Sequence, residues 1–428
     1  MRTAREEYVV NLDACIKCSA CTAQCPVAAV YPLFPGPKNV GPDAERFRLE
    51  GIVFDPAYLT YCSNCKTCEV TCPSGVNITE MILRARGKEP DIFTLSRLGA
   101  GVQSWPESKQ KSRRKLRNYL LGRAEYLGKV GTVWPRLSNL VLEWPVTRRV
   151  LEASIGLSRK APLPPYQPKF VPHQGRKVKL GPGMTKQVVY FPGCFVNYND
   201  SAVGHAVVAV LEHNGFDVIV PNFHCCGVPL EANGYFAAAE ANSRQNLSLM
   251  QAYLEAGVPV ISACTSCSLA LREEYPKVDA PGAERMGRQT YDLFEFLWEL
   301  HETGELDEQF QEVSASLGYY APCHLKAQGI GTPSVRLLKL IPGVEIFDIN
   351  AGCCGLSGSF AFKEERYSLA MEIGRPLFEQ VKAGVLSGEF KEMATECGGC
   401  KIQIEHGSGV ATKHPVWVLL QAYRLGTA

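Results

Sequence analysis

Apolar positions change period along this 428-residue chain. From residue 187 onward, short β-branched and aromatic runs alternate with stretches of helical spacing, which predicts alternating strands and helices. The first round opens with the strand QVVYFPGC, ending at Cys194. The helical stretch AVGHAVVAVLEHNG follows, then the strand FDVIV before HCCG, a further helix, and the strand VPVISAC, which delivers CTSC. A second round repeats the order as LGYYAPC, SVRLLKLI, VEIFDI, GCCG, a long helical stretch and EMATECGGC. Each round predicts a small parallel α/β unit, with its cysteines at strand ends along the sheet edge where open α/β folds gather ligands.

Upstream the pattern is less regular. ITEMILRARGK predicts a helix, and the 36 residues between Cys25 and Cys62 leave room for more helix. The stretch YLLGRAEYLGKVGTVWPRLSNLVLEWPVTRRVLEASIGL predicts two or three short amphipathic helices, broken at Pro135 and Pro145. APLPPYQPKFVPHQGRKVKLGPG then predicts a Pro/Gly-rich linker. These shifts divide the chain at 1–90, 91–186, 187–312 and 313–428. The fold class expected is α+β and multidomain.

Composition is that of an ordinary soluble protein, 46% hydrophobic and 21% charged. No apolar run reaches 18 residues, so no membrane-spanning helix is expected. The start, MRTAREEYVVNLDA, mixes both charges and lacks the apolar core of a signal peptide, so the thiols are expected in a reducing cytoplasm. A net charge of +2 conceals an asymmetry: Ser104 to Lys186 holds 18 Lys and Arg against 4 Asp and Glu. Charge alone favours a solvated helix face for this block, which includes Lys109, Lys111, Arg113, Arg114, Lys115, Arg117 and Arg123. It also suits an anionic surface.

The chemistry lies in 18 cysteines, all within ligand-like patterns. Cys15, Cys18, Cys21 and Cys25 form a C-x-x-C-x-x-C-x-x-x-C-P run, repeated by Cys62, Cys65, Cys68 and Cys72. In such runs three cysteines bind one cubane and the fourth reaches the other cluster. One 4Fe–4S cubane is therefore assigned to Cys15, Cys18, Cys21 and Cys72, the other to Cys62, Cys65, Cys68 and Cys25. Zinc would need a closed tetrahedron of thiolates, and two full runs each ending in Pro argue against it. The other ten cysteines form two sets of five: Cys194, Cys225, Cys226, Cys264 and Cys267, then Cys323, Cys353, Cys354, Cys397 and Cys400. Five thiolates exceed the need of one cubane or one zinc. Adjacent cysteines on a turn, eased by Gly227 and Gly355, can bridge separate irons of one cluster. The alternative is a plain cubane with one spectator cysteine. Lys17, Lys66 and Lys401 adjoin ligands, and such lysines are usually solvated. His224 and His324 also adjoin ligands; a hydrogen bond to backbone or sulfur is the expectation for each, ahead of proton transfer. No dinucleotide fingerprint, P-loop or Ser/His/Asp arrangement is present, so a partner must supply any organic cofactor.

CIKCSACTAQCPVAAVYP, FPGPKNVGPDAERFRL, YCSNCKTCEVTCPSGVNI, FPGCFVNYN, CCGVPLEANG and LREEYP resemble the C subunits of anaerobic glycerol-3-phosphate dehydrogenases. The duplicated set is similar to the CCG domain of heterodisulfide reductase, lactate-utilisation and glycolate-oxidase iron–sulfur subunits. The resemblance implies an N-terminal α-helical ferredoxin domain followed by two duplicated α/β CCG domains. It implies one or two further 4Fe–4S clusters, noncubane where the five-cysteine set is complete. It also implies electron transfer from a flavoprotein dehydrogenase partner towards membrane quinone, at the inner face of the cytoplasmic membrane, where the basic middle would meet the surface. The alternative is a heterodisulfide-reductase-like catalytic chain acting on a disulfide or quinone at a CCG cluster. No nucleic-acid partner is expected, since the basic block lacks aromatic interleaving and a helix-turn-helix.

Overall fold

The computed structural model describes residues 12–52, 56–87, 107–170 and 186–426. Among its described residues the regular elements of the N-terminal part are helices, including α1 (Ala20–Ala23), α2 (Pro26–Val30), α3 (Ala44–Leu49), α4 (Thr67–Val70) and α5 (Ile78–Gly87). Pro26 opens α2 at its first position, where a missing N–H costs nothing. The spacer between the two cysteine runs is filled by a π-helical turn at Asn39–Asp43 and by α3, the extra helix its length predicts.

Among the described residues of the basic stretch, α6 (Glu107–Gly122) comes first, and α7 (Ala124–Gly131), α8 (Pro135–Glu143) and α9 (Pro145–Ile155) follow as the three short helices that fall where two or three are expected. Pro135 and Pro145 begin helices α8 and α9, since a fixed φ suits the first turn. The linker is pinned over 161–170. Phe170 is fully buried, its N–H donates to the Asn197 carbonyl at 3.0 Å, and Gln167 N–H donates to Tyr198 O at 2.8 Å. Residues 171–185, with the rest of the predicted linker, lie outside the described residues.

Each later half is a four-stranded, all-parallel sheet. Copy one contains β1 (Gln187–Tyr190), α10 (Ser201–His213), β2 (Asp217–Ile219), α11 (Phe236–Glu255), β3 (Val260–Ser262), α12 (Thr265–Leu269), β4 (Thr290–Asp292) and α13 (Leu293–Glu302). Copy two contains β5 (Ala315–Tyr319), α14 (Cys323–Ala327), α15 (Pro333–Leu338), β6 (Val344–Asp348), α16 (Glu364–Ser387), β7 (Glu392–Ala394), α17 (Gly398–Ser408), β8 (Thr412–Lys413) and α18 (Val416–Ala422). The strand orders match, β2-β1-β3-β4 and β6-β5-β7-β8. Central strands covered on both faces read as continuous apolar runs, and Val188, Val189 and Tyr190 are fully buried. Strands β4 (Thr-Tyr-Asp) and β8 (Thr-Lys), only three and two residues long, lack an apolar run and escaped the sequence pattern.

Three cores hold the molecule together. One lies between the sheets, where α10 packs on α18 and α13 on α15; it joins Tyr190 and Leu297 to Tyr319 and Leu419. A second covers the far face of copy one, around Phe191, Met250 and Leu271. The third merges the N-terminal helices with the far face of copy two, so that Val27, Phe34 and Ile82 share a core with Tyr320, Leu377 and Phe378. No helix of the described residues is long and apolar enough to cross a membrane.

Candidate iron–sulfur centres

The two N-terminal cysteine runs adopt the same unusual backbone. Left-handed residues recur at matched positions, Lys17 and Ser19 in the first loop and Asn64 and Lys66 in the second, with φ of 60°, 65°, 58° and 56°. Residues with side chains rarely adopt this region, and they persist there only where surrounding structure requires it. Such alternation turns successive N–H groups towards one centre, the concave nest that suits anionic clusters. In the second loop a cavity is lined by Cys25, Cys62, Cys65 and Cys68, with Val27, Phe34 and Ile82 as apolar wall. Burial first, then the nearby Cys62 charge, pushes the Cys25 thiol up to about 11. Burial, with Cys353 as next contributor, pushes Cys65 up to about 12. In the first loop Cys21 is raised by burial, and the thiols whose charge it feels are Cys72 and Cys15. The structure thus groups Cys25 with the second loop and Cys72 with the first. Cys18 is exposed, whereas Cys65 and Cys68 are buried.

In the later halves all ten cysteines follow the C-terminal ends of parallel strands. In copy one the sulfurs form a chain. Cys194 hydrogen-bonds Cys225, Cys225 bonds Cys226, Cys226 Sγ lies 3.5 Å from Cys267 Sγ, and Cys267 bonds Cys264. Copy two repeats it: Cys323 to Cys353, Cys353 to Cys354, Cys354 Sγ to Cys400 Sγ at 3.4 Å, and Cys400 to Cys397. Among the described residues no three His, Cys, Asp or Glu side chains converge as a single-ion site requires. A chain of five soft thiols has the chemistry to hold several metal atoms, each taking one or two sulfurs. The paired-cysteine turns depend on Gly227 (φ 106°) and Gly355 (φ 87°); a Cβ on Gly355 would lie 2.1 Å from the Ala370 carbonyl oxygen.

Electrostatics single out the first cysteine of each adjacent pair. Cys225 is held well below its usual range by hydrogen bonds from Cys194 and Cys226 and by the Gly227 N–H. Cys353 is held down in the same way by Cys323, Cys354 and the Gly355 N–H. Cys194, Cys226, Cys323 and Cys354 are pushed up in turn, whereas Cys264 is held down to about 7, chiefly by its hydrogen bond with Cys267; thiolates packed this closely cannot all ionise without a cation among them. A bound metal would supply that cation and release protons.

Supporting contacts differ between copies. In copy one Cys225 N–H donates to Glu125 Oε2 of α7 at 2.8 Å, and His224 N–H donates to Asn246 Oδ1 at 2.8 Å. In copy two Cys354 N–H donates to the Tyr320 hydroxyl at 3.1 Å, which donates to Gly352 O at 2.9 Å. Glu125 stands 100 residues from Cys225 and gave no sequence signal. The flanking charges are not uniformly solvated. Lys17 is exposed, but Lys66 is only 8% exposed and lies 2.9 Å from Glu273 and 3.1 Å from Glu274. Lys401 pairs with Asp200 at 2.7 Å. His224 Nδ1 faces Glu125 Oε1 at 3.3 Å. His324 bonds the Asn64 backbone oxygen and the Ser266 hydroxyl rather than a sulfur.

Family models follow this architecture. A 4Fe-4S dicluster domain matches residues 11–76, and the cysteine-rich CCG domain matches 188–272 and again 317–405. Fold and sites together define an iron–sulfur electron-transfer protein, with a dicluster domain followed by duplicated CCG domains. Among its relatives, the C subunit of the anaerobic glycerol-3-phosphate dehydrogenase of Escherichia coli (strain K12) is 35% identical over 416 residues, covering 96% of this chain and 98% of that protein. The chain belongs to that family. The B subunit of the fumarate reductase (CoM/CoB) of Methanothermobacter marburgensis is 24% identical, covering 94% of this chain and 70% of that one. The glycolate oxidase iron–sulfur subunit of Escherichia coli (strain K12) is 25% identical, covering 96% and 94%.

Proposed function

We propose that this chain accepts electrons from a flavoprotein dehydrogenase acting on glycerol 3-phosphate and passes them towards membrane quinone. Iron–sulfur clusters, when bound, supply the one-electron chemistry. In this reading two cubanes are held by Cys15, Cys18, Cys21 and Cys72 and by Cys62, Cys65, Cys68 and Cys25. Each five-cysteine CCG set holds one further cluster of noncubane type. The divisions at residues 90, 186 and 312 belong to the same reading. The observation that carries it is the neighbourhood of the second-loop thiols and those of copy two. Cys18 opens to the surface, the second loop lies inside, and Cys25 and Cys65 are close enough to Cys353 for their charges to interact. Exposed apolar side chains in the N-terminal part, Ile16, Leu33 and Leu49 among them, suit a protein partner at that end.

Membrane contact rests on α7–α9 rather than on net charge. Among the described residues part of the basic block is tied down rather than free. Arg117 is buried against Glu365, Arg113 pairs with Glu364, and Arg148 caps backbone carbonyls of Ser158 and Arg159. Beside exposed Lys129, Arg136 and Arg149 the outward side chains include a set of large apolar ones: Val130, Trp134, Leu137, Leu140 and Trp144 are each more than half exposed. Short helices with exposed Trp and Leu suit the interface plane, in keeping with a lipid-soluble acceptor.

The test is anaerobic reconstitution with the co-purifying flavoprotein. Glycerol 3-phosphate should reduce this chain's clusters only when the flavoprotein is present, and a quinone analogue should reoxidise them. Clusters that stay oxidised while the flavoprotein reduces the analogue unaided would refute the proposal.

A further inference from the structure

The two CCG copies touch through the residue that follows each first cysteine. Phe195, after Cys194, lies against Gly398 in the C-x-x-C turn of copy two, where a Cβ would stand 2.2 Å from its ring. His324, after Cys323, makes the reciprocal contact. Its Nδ1 is 2.8 Å from Ser266 Oγ, between Cys264 and Cys267 of copy one. The duplication has therefore kept the contact while making one side apolar and the other polar. His324 also has an arm with no counterpart at Phe195: its Nε2 is 2.8 Å from the carbonyl oxygen of Asn64, between Cys62 and Cys65. A carbonyl only accepts, so Nε2–H donates to it, and in the neutral ring Nδ1 accepts from the Ser266 hydroxyl. Gln328, which caps the C-terminal end of α14, braces the junction. Its Nε2 reaches His324 O at 3.1 Å, Thr265 O at 3.2 Å and Ser268 Oγ at 3.0 Å.

We propose that His324 is the positioning residue that fixes the Cys62–Cys68 loop, the Cys264–Cys267 turn and Cys323 in one register, and so couples the copy-one site to the other two. This rests on the reading of these cysteines as ligands. Copy two meets the second loop directly, through Cys353 beside Cys25 and Cys65. Copy one meets it through the His324–Ser266 arm and, on the far side of the loop, through Lys66 with Glu273 and Glu274. Outer-shell hydrogen bonds of this kind hold ligand loops in place, and their loss changes the site without removing a ligand.

Full-length protein, purified anaerobically and fully reduced, is compared by iron content and electron paramagnetic resonance for three variants. His324→Phe repeats the residue of copy one and deletes both hydrogen bonds. Ser266→Ala cuts one arm. His324→Gln keeps a donor and an acceptor. The first two should keep their iron but lose the magnetic splitting between the copy-one signal and that of the second loop, and Gln should restore it. Splitting retained in His324→Phe and Ser266→Ala would overturn the proposal. If the wild-type chain carries no cluster signal, the ligand reading fails first. Hydrogen exchange on the metal-free chain then decides: faster exchange in both 62–68 and 264–267 for His324→Phe supports the positioning role, and unchanged exchange in both refutes it.

Discussion

Single residues divide into those the sequence displays and those it conceals. Every cysteine stands in a spacing the sequence displays, and soft ligands at fixed spacing have few other uses. Gly227 and Gly355 were legible too, since a paired-cysteine turn needs a residue free of Cβ constraints. Their inequality was not. A Cβ on Gly355 meets backbone of α16 at 2.1 Å, while on Gly227 its nearest contact is Ala239 Cβ at 3.2 Å. Gly355→Ala should therefore cost roughly 2–5 kcal/mol and deplete copy-two iron, and Gly227→Ala roughly 1–3 kcal/mol from backbone strain alone. Urea midpoints with iron content on both variants check this; equal losses would show that the α16 contact does not matter. His324 drew attention by adjacency to Cys323, but its partners lie 58 and 260 residues away. Contacts at that separation leave no mark in a single sequence.

At the level of elements, the apolar runs recovered the strands that lead into cysteines and missed β4 and β8, which lead into none. Periodicity also identified the connector helices without telling which side faces outward. Charge suggested a solvated cationic face, yet Arg117 is 2% exposed and bidentate to Glu365, 248 residues away. Burial alone would push Glu365 up, but Arg117 holds its carboxyl down to about 2. That contribution to stability is complete above the ordinary carboxylate value of 4.5 and is lost as pH falls from there through about 2. Arg117→Ala should remove the acid-dependent part and lower stability by about 2–4 kcal/mol at neutral pH. Unfolding midpoints of both proteins between pH 7 and 3 test it, and parallel pH profiles would contradict the pairing. The outward face carries a separate prediction. Trp134→Asp with Leu140→Asp should abolish flotation with both neutral and anionic vesicles, while 0.5 M salt should leave wild-type binding largely intact, salt at about this strength screening charges beyond a few ångströms. Wild-type binding confined to anionic vesicles and lost in salt would return the role to the basic residues.

Across the whole molecule, the order of dicluster domain, basic helices and two α/β copies was readable because duplication leaves the same strand–cysteine order twice. How the parts join was not. The N-terminal helices share a core with copy two and reach copy one through Lys66 and His324, which places the second cysteine loop between both copies. The central claim is that all 18 cysteines serve four iron–sulfur sites in one connected electron path. Iron and acid-labile sulfide in the anaerobically purified full-length chain test it most directly. About 16 irons per chain, with matching sulfide, is the result predicted for four four-iron clusters. Two irons or fewer, with zinc in their place, would contradict it.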